Sequence, residues 1–122
     1  MVVSFKQLEL FRDLEIRKSE ISEASNIDLF NSKTDTGNTI EVCPQHVIML
    51  LNKVKTKEIS EEHLLEWVNT VMFTDLFKYC EEYRDCIASV ISELEEIDEE
   101  GKELNDEKID KYISALVKNI EL

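Results

Sequence analysis

Two glycines and one proline, at Gly37, Gly101 and Pro44, are all that 122 residues contain. A β-sandwich or barrel needs a turn signal every ~8–12 residues, so an all-β fold is excluded and helices are expected. Basic residues are scarce too: 14 Lys and Arg stand against 27 Asp and Glu, for a net charge of −13. Nucleic acids and anionic membranes attract the opposite sign, so neither is expected as a direct partner. The longest apolar run, Val47 to Leu51, has five residues, far below the ~18–20 that span a bilayer. Met1 to Asp13 has no basic stretch leading into an apolar one, so no secretory signal is expected. Three loosely spaced cysteines do not make a disulfide framework and suit a reducing compartment. Free thiols and a cytoplasmic location are expected.

Apolar residues make up 43% of the chain, too many for disorder. A chain of this mass can bury about two thirds of its unfolded surface, so a core forms without metals or disulfides. No repeat or linker divides the sequence, and a single helical domain over 1–122 is expected. The predicted class is all-α, a bundle of about five helices.

The clearest predicted helix runs from Asp75 to Ile97. Leu76, Cys80, Tyr83, Ile87, Val90, Leu94 and Ile97 alternate spacings of four and three, an a/d stripe. Gly101 follows where a left-handed terminating residue belongs. A second helix starts at Ser60, with Glu61 and Glu62 at its positive end and Ile59 and Leu64 at staple spacing. Its expected buried face is Leu64, Val68, Val71 and Met72, with Trp67 on the flank. The last helix starts at Asn105, and Ile109, Tyr112, Ile113, Leu116, Val117 and Ile120 form its stripe. A shorter helix opens at Cys43-Pro44, proline being favoured at the first helical position. Apolar spacing also allows a helix from Ser4 to Ser25. Asp35-Thr36-Gly37-Asn38 is turn-like, and a short β-hairpin between residues 26 and 42 could pair Thr39–Val42 with Ile27–Phe30.

Catalytic constellations are not found. A ferritin-like di-metal bundle needs Glu three residues before His on two helices, but Cys43 and Ser60 hold those places before His46 and His63. A calcium loop centred on Gly37 would end on Cys43 rather than glutamate. There is no Gly-rich phosphate loop and no Gly-x-Ser-x-Gly elbow. Cys43 and His46 have metal-ligand spacing but need two more ligands. On one helix Cys80 and Cys86 would point about 120° apart, which presets no pair. Cys43 near a helix start, with His46 one turn on, could serve as a nucleophile, though nothing orients the pair; a capping role is the simpler reading. No catalytic residue, metal or cofactor is expected.

Charge is what stands out. From 93 to 107 there are nine acids, Glu93, Glu95, Glu96, Asp98, Glu99, Glu100, Glu103, Asp106 and Glu107, and one base, Lys102. Acids at a helix C-terminus oppose its dipole, and Glu95 with Glu99, like Glu96 with Glu100, repel at i,i+4. The cluster is therefore either solvated surface or a docking surface for a basic partner. The docking reading selects Tyr79, Glu82, Asp85, Glu93, Glu96, Asp98, Glu99, Glu100 and Glu103 as partner-binding residues, with Tyr79 as aromatic anchor.

Glu58-Ile59-Ser60-Glu61-Glu62-His63-Leu64-Leu65-Glu66-Trp67-Val68, a long helix, an acidic Gly turn and Leu104-Asn105-Asp106-Glu107-Lys108-Ile109 with a closing helix carry a likeness. Over Val47 to Leu122 the chain resembles the small acidic helical immunity proteins of bacterial polymorphic-toxin and contact-dependent growth-inhibition systems. The resemblance implies a non-enzymatic cytoplasmic protein that neutralises a cognate toxin, often a basic nuclease, by stoichiometric blocking of its active site. The competing reading is an acidic secretion chaperone or nucleic-acid mimic. Such chaperones are usually α/β dimers, and a mimic would spread its acids along one face.

Overall fold

The computed structural model describes residues 2–21, 29 and 32–122. Its architecture is mainly helical, with five α-helices among the described residues and two small sheets of two strands each. Strand β1 (Val2–Val3) leads into α1 (Phe5–Arg12), which Ser4 caps by accepting the Gln7 N–H at 3.2 Å. The helix stops well before Ser25. Leu14 takes a left-handed conformation, and the Glu15 N–H closes back on the Leu10 carbonyl at 2.9 Å. Only a single 3-10 turn, Lys18–Glu20, follows in the described part of that segment; Ser25 lies outside the described residues.

Helix α2 (Pro44–Lys55) opens at its proline as expected. Helix α3 (Glu61–Phe73) is capped by Ser60, whose Oγ accepts the His63 N–H at 3.1 Å. Helix α5 (Asp106–Lys118) is capped by Asn105 Oδ1 on the Lys108 N–H at 2.8 Å and ends on left-handed Asn119. Each cap satisfies a backbone donor that a helix start leaves without an intrahelical acceptor.

The expected helix from Asp75 to Ile97 is corrected. Thr74 is extended and ends α3, and Phe77–Tyr79 forms a strand, β4. A 3-10 turn at Glu81–Tyr83 then leads into α4 (Arg84–Glu95). Leu76, Ile87, Val90, Leu94 and Ile97 are buried as the stripe requires, but Leu76 reaches the core from outside any helix and Cys80 and Tyr83 are only half-buried.

The all-α expectation is corrected for the same reason. Strand β3 (Ile40–Val42) forms where Thr39–Val42 suggested one, but its partner is β4, in parallel register with Ile40 opposite Phe77 and Val42 opposite Tyr79. Strand β1 pairs likewise with β2 (Lys33–Thr34). A hairpin partner at Ile27, Asp28 and Phe30 lies outside the described residues. Alternation explains β4: Phe77 is buried, Lys78 exposed and Tyr79 half-buried, the period-2 pattern of a strand with one face on the core.

Helix α5 packs across α2 and α4, α3 lies on α4, and α1 covers β3. Trp67 is fully buried at the centre rather than on a flank, and its Nε1–H donates to the Arg12 carbonyl at 3.1 Å, pinning α3 to the end of α1. Phe11 and Phe77 join α1 to β4 with ring centroids 6.3 Å apart. The buried face of α3 is Leu64, Trp67, Val68 and Val71, while Met72 is exposed. On α5, Ile109, Tyr112, Ala115 and Leu116 are buried and Val117 faces solvent, as does Ile120, which lies beyond the helix end.

Candidate functional site

The acids predicted to form a docking surface fall into two groups. Asp85 sits in the first turn of α4, where the dipole favours it, and Glu82 lies in the 3-10 turn before it. Glu93 is on the last turn of α4. Glu96 is the residue just past its end, and Asp98, Glu99, Glu100 and Glu103 occupy the connection to α5. A helix of twelve residues is about 18 Å long, so α4 holds the two groups apart. Tyr79 belongs to the first end. It is half-buried on β4, and burial pushes its phenol above the ordinary value.

The α4–α5 corner is less uniformly negative than the sequence order suggests. Lys102 Nζ pairs with Glu96 Oε2 at 2.7 Å, and that hydrogen bond raises the lysine above its ordinary value. Lys108 Nζ donates to the Glu103 carbonyl at 3.0 Å. Lys108 and Lys111 come from α5 to line, with Glu93, Lys102 and Tyr112, a shallow depression of about 240 Å³. Its own N–H and that of Gly101 hold the Glu103 carboxyl below the usual range. Asp98, Glu99 and Glu100 are exposed and have no ion pair among the described residues. They are the part of the corner without an ion pair, with only the charge of nearby Lys102 acting on Glu99, carried on a turn that left-handed Gly101 closes (φ +82°).

Cys43 and His46 are close but not arranged as nucleophile and base. His46 Nδ1 accepts the backbone N–H of Cys43 at 2.8 Å, which fastens the start of α2. Its Nε2 faces Asp13 Oδ1 at 3.8 Å in a cleft of about 520 Å³ that Leu14, Met49 and Lys53 also line. The Cys43 thiol donates instead to Glu41 Oε1 at 3.3 Å. Burial, with Cys80 and Glu41 alongside, pushes it up to about 12. A thiol held so high is protonated and a poor nucleophile at neutral pH.

Sequence reasoning missed the grouping of Glu41, Cys43 and Cys80, whose ligand atoms all lie within 4.8 Å of one another. Placing Cys80 on a helix hid its closeness to Cys43; Cys86, on α4, is buried against α5 with its Sγ 3.4 Å from the Ala115 carbonyl. A signal was present: Ile40-Glu41-Val42 and Phe77-Lys78-Tyr79 are β-prone triplets, each followed directly by a cysteine.

No family model, curated protein or solved structure matches the chain. Among the described residues, no helix is long and apolar enough to cross a membrane.

Proposed function

We propose that this protein is a cytoplasmic, non-enzymatic inhibitor of the immunity type, which binds a basic toxin, a nuclease being the best fit to its charge, and blocks it stoichiometrically. One observation carries this reading: Asp98, Glu99 and Glu100 stand exposed and without an ion pair among the described residues, on the α4–α5 connection of a chain with net charge −13. Carboxylates on a raised turn can enter a basic cleft where substrate phosphates would lie. Such complementarity speeds encounter and makes it salt-dependent. A standard interface covers about 800 Å² per partner, more than one turn supplies. Glu93, Glu96 and Glu103 therefore contribute beside that turn, while Glu82, Asp85 and Tyr79 at the far end of α4 meet only a partner that spans the helix.

The test compares the parent with the triple variant Asp98→Lys, Glu99→Lys and Glu100→Lys. The partner is the protein retained by the parent on affinity purification from its own cells, and association is followed by stopped flow at several salt concentrations. The expected result is at least tenfold slower association at low salt and a flattened salt dependence, with an unchanged circular dichroism spectrum. Equal rates and equal salt slopes would show that this corner is only solvated surface.

A further inference from the structure

The parallel pairing of β3 with β4 continues one residue past the strands, because the Cys80 N–H donates to the Val42 carbonyl at 2.8 Å. Cys43 and Cys80 therefore leave two neighbouring strands at the same level. Residues at one level of a paired sheet share a face, as do residues two apart on one strand, so Glu41 joins the two thiols. Its carboxylate is turned to Cys43 at 3.3 Å. Lys78, opposite Glu41 on the same face, forms no ion pair with it within 4.0 Å.

Zinc with Zn–S of ~2.3 Å and Zn–O of ~2.0 Å in tetrahedral geometry requires S···O edges of roughly 3.5 Å and S···S edges of roughly 3.8 Å. The observed 3.3 Å, and the 4.8 Å that encloses all three ligand atoms, bring the set within a side-chain rotation of that geometry. The backbone beneath is already fixed. Arg12 Nη1 holds the Glu41 carbonyl at 2.9 Å, His46 holds the Cys43 N–H, and Val42 holds the Cys80 N–H. Cys80 is half-exposed and Glu41 exposed, so an ion has a path in from solvent. Two sulfurs with one carboxylate favour zinc over the oxygen-seeking magnesium and calcium.

We propose that Glu41, Cys43 and Cys80 form a zinc site, four-coordinate with water in the remaining position, which clamps the ends of β3 and β4 to the start of α2. The proposal does not rest on the inhibitor reading, since none of Glu41, Cys43 and Cys80 is among the residues assigned to the partner. It is tested on the full-length chain, fully reduced and free of oxygen, titrated with Co²⁺ and then Zn²⁺. One equivalent of cobalt should give a thiolate-to-cobalt charge-transfer band with the visible bands of four-coordinate cobalt, and zinc should bleach both. Cys80→Ser and Glu41→Gln alter accessible side chains, and circular dichroism checks that each variant stays folded. Cys80→Ser should weaken zinc binding by more than the ~10–100-fold typical of losing an outer-shell partner, Glu41→Gln by about tenfold, and Cys86→Ser not at all. Absence of the band in the reduced parent overturns the site, as does a band that survives Cys80→Ser or disappears with Cys86→Ser. A Cys43–Cys80 disulfide formed in air, with no cobalt bound by the reduced protein, assigns the pair to redox chemistry and equally overturns it.

Discussion

Ile87 has no solvent exposure and lies on the buried face of α4 together with Val90, Ile91 and Leu94. Replacing it with alanine removes three carbons. Their transfer free energy is about 0.8 kcal/mol each, or ~2.4 kcal/mol in all. A partly relaxed cavity adds about 1 kcal/mol, and alanine's better helix propensity returns a few tenths of a kcal/mol. The net expected loss is ~3 kcal/mol, within the range of about 2–5 kcal/mol for such substitutions. With a urea slope of ~1.5 kcal/mol per molar, the unfolding midpoint falls by about 2 M. Trp67 is the one tryptophan and is fully buried, so its fluorescence reports the core of α3 while circular dichroism at 222 nm reports the helices together. The two transitions should coincide before and after substitution, because α3 lies directly on α4. A loss below about 1 kcal/mol would refute the placement of Ile87 at the centre of the core. Separate fluorescence and dichroism transitions would refute the view that α3 and α4 unfold together.

Ser60→Ala should cost about 1 kcal/mol by freeing the His63 N–H that Ser60 Oγ accepts, measured as a lower urea midpoint with unchanged slope. Burial first, and then Arg17, holds buried His63 below its ordinary 6.5, and its Nε2 has no hydrogen-bond partner among the described residues. The unfolded chain therefore binds more protons below pH ~6.5, so stability is complete above that pH and declines as acid is added. His63→Leu should flatten this decline, leaving the part due to His46, which burial also lowers; equal decline in parent and variant would show that His63 does not carry the linkage.

The helix starts were legible because capping is local chemistry: Ser60, Asn105 and Pro44 mark them within four residues of sequence. The stripe from Leu76 to Ile97 misled for an equally physical reason. Spacings of three and four describe a helix only if the chain stays helical, and Leu76, Cys80 and Tyr83 match that spacing while belonging to an extended segment and a 3-10 turn. Phe77-Lys78-Tyr79 alternates as a strand does, but its partner Ile40–Val42 is far upstream, and parallel pairing at that distance leaves no local mark. The Glu41–Cys43–Cys80 grouping depends on that pairing and was hidden with it. The acidic corner was visible as composition. The lysines beside it were not, since Lys108 and Lys111 line a depression with Glu93 only because α5 folds back along α4.

The long separation of β3 from β4 also bears on how the chain is made. Ile40 and Phe77 are about 37 residues apart, and closing such a loop costs roughly 3 kcal/mol in chain entropy. Helices α2 and α3 both lie inside the loop, and their formation shortens the span to be closed. On a ribosome adding ~5–20 residues per second, β3 emerges about two to seven seconds before its partner exists. For that interval Ile40 and Val42, which end fully buried, stand beside unpaired backbone that could recruit another nascent chain. Three residues make a poor template for such mispairing, and Pro44 just beyond has no N–H with which to extend it. The brevity of the strand thus limits mispairing during synthesis, and the sheet can close only after the segment carrying α2 and α3 has been made.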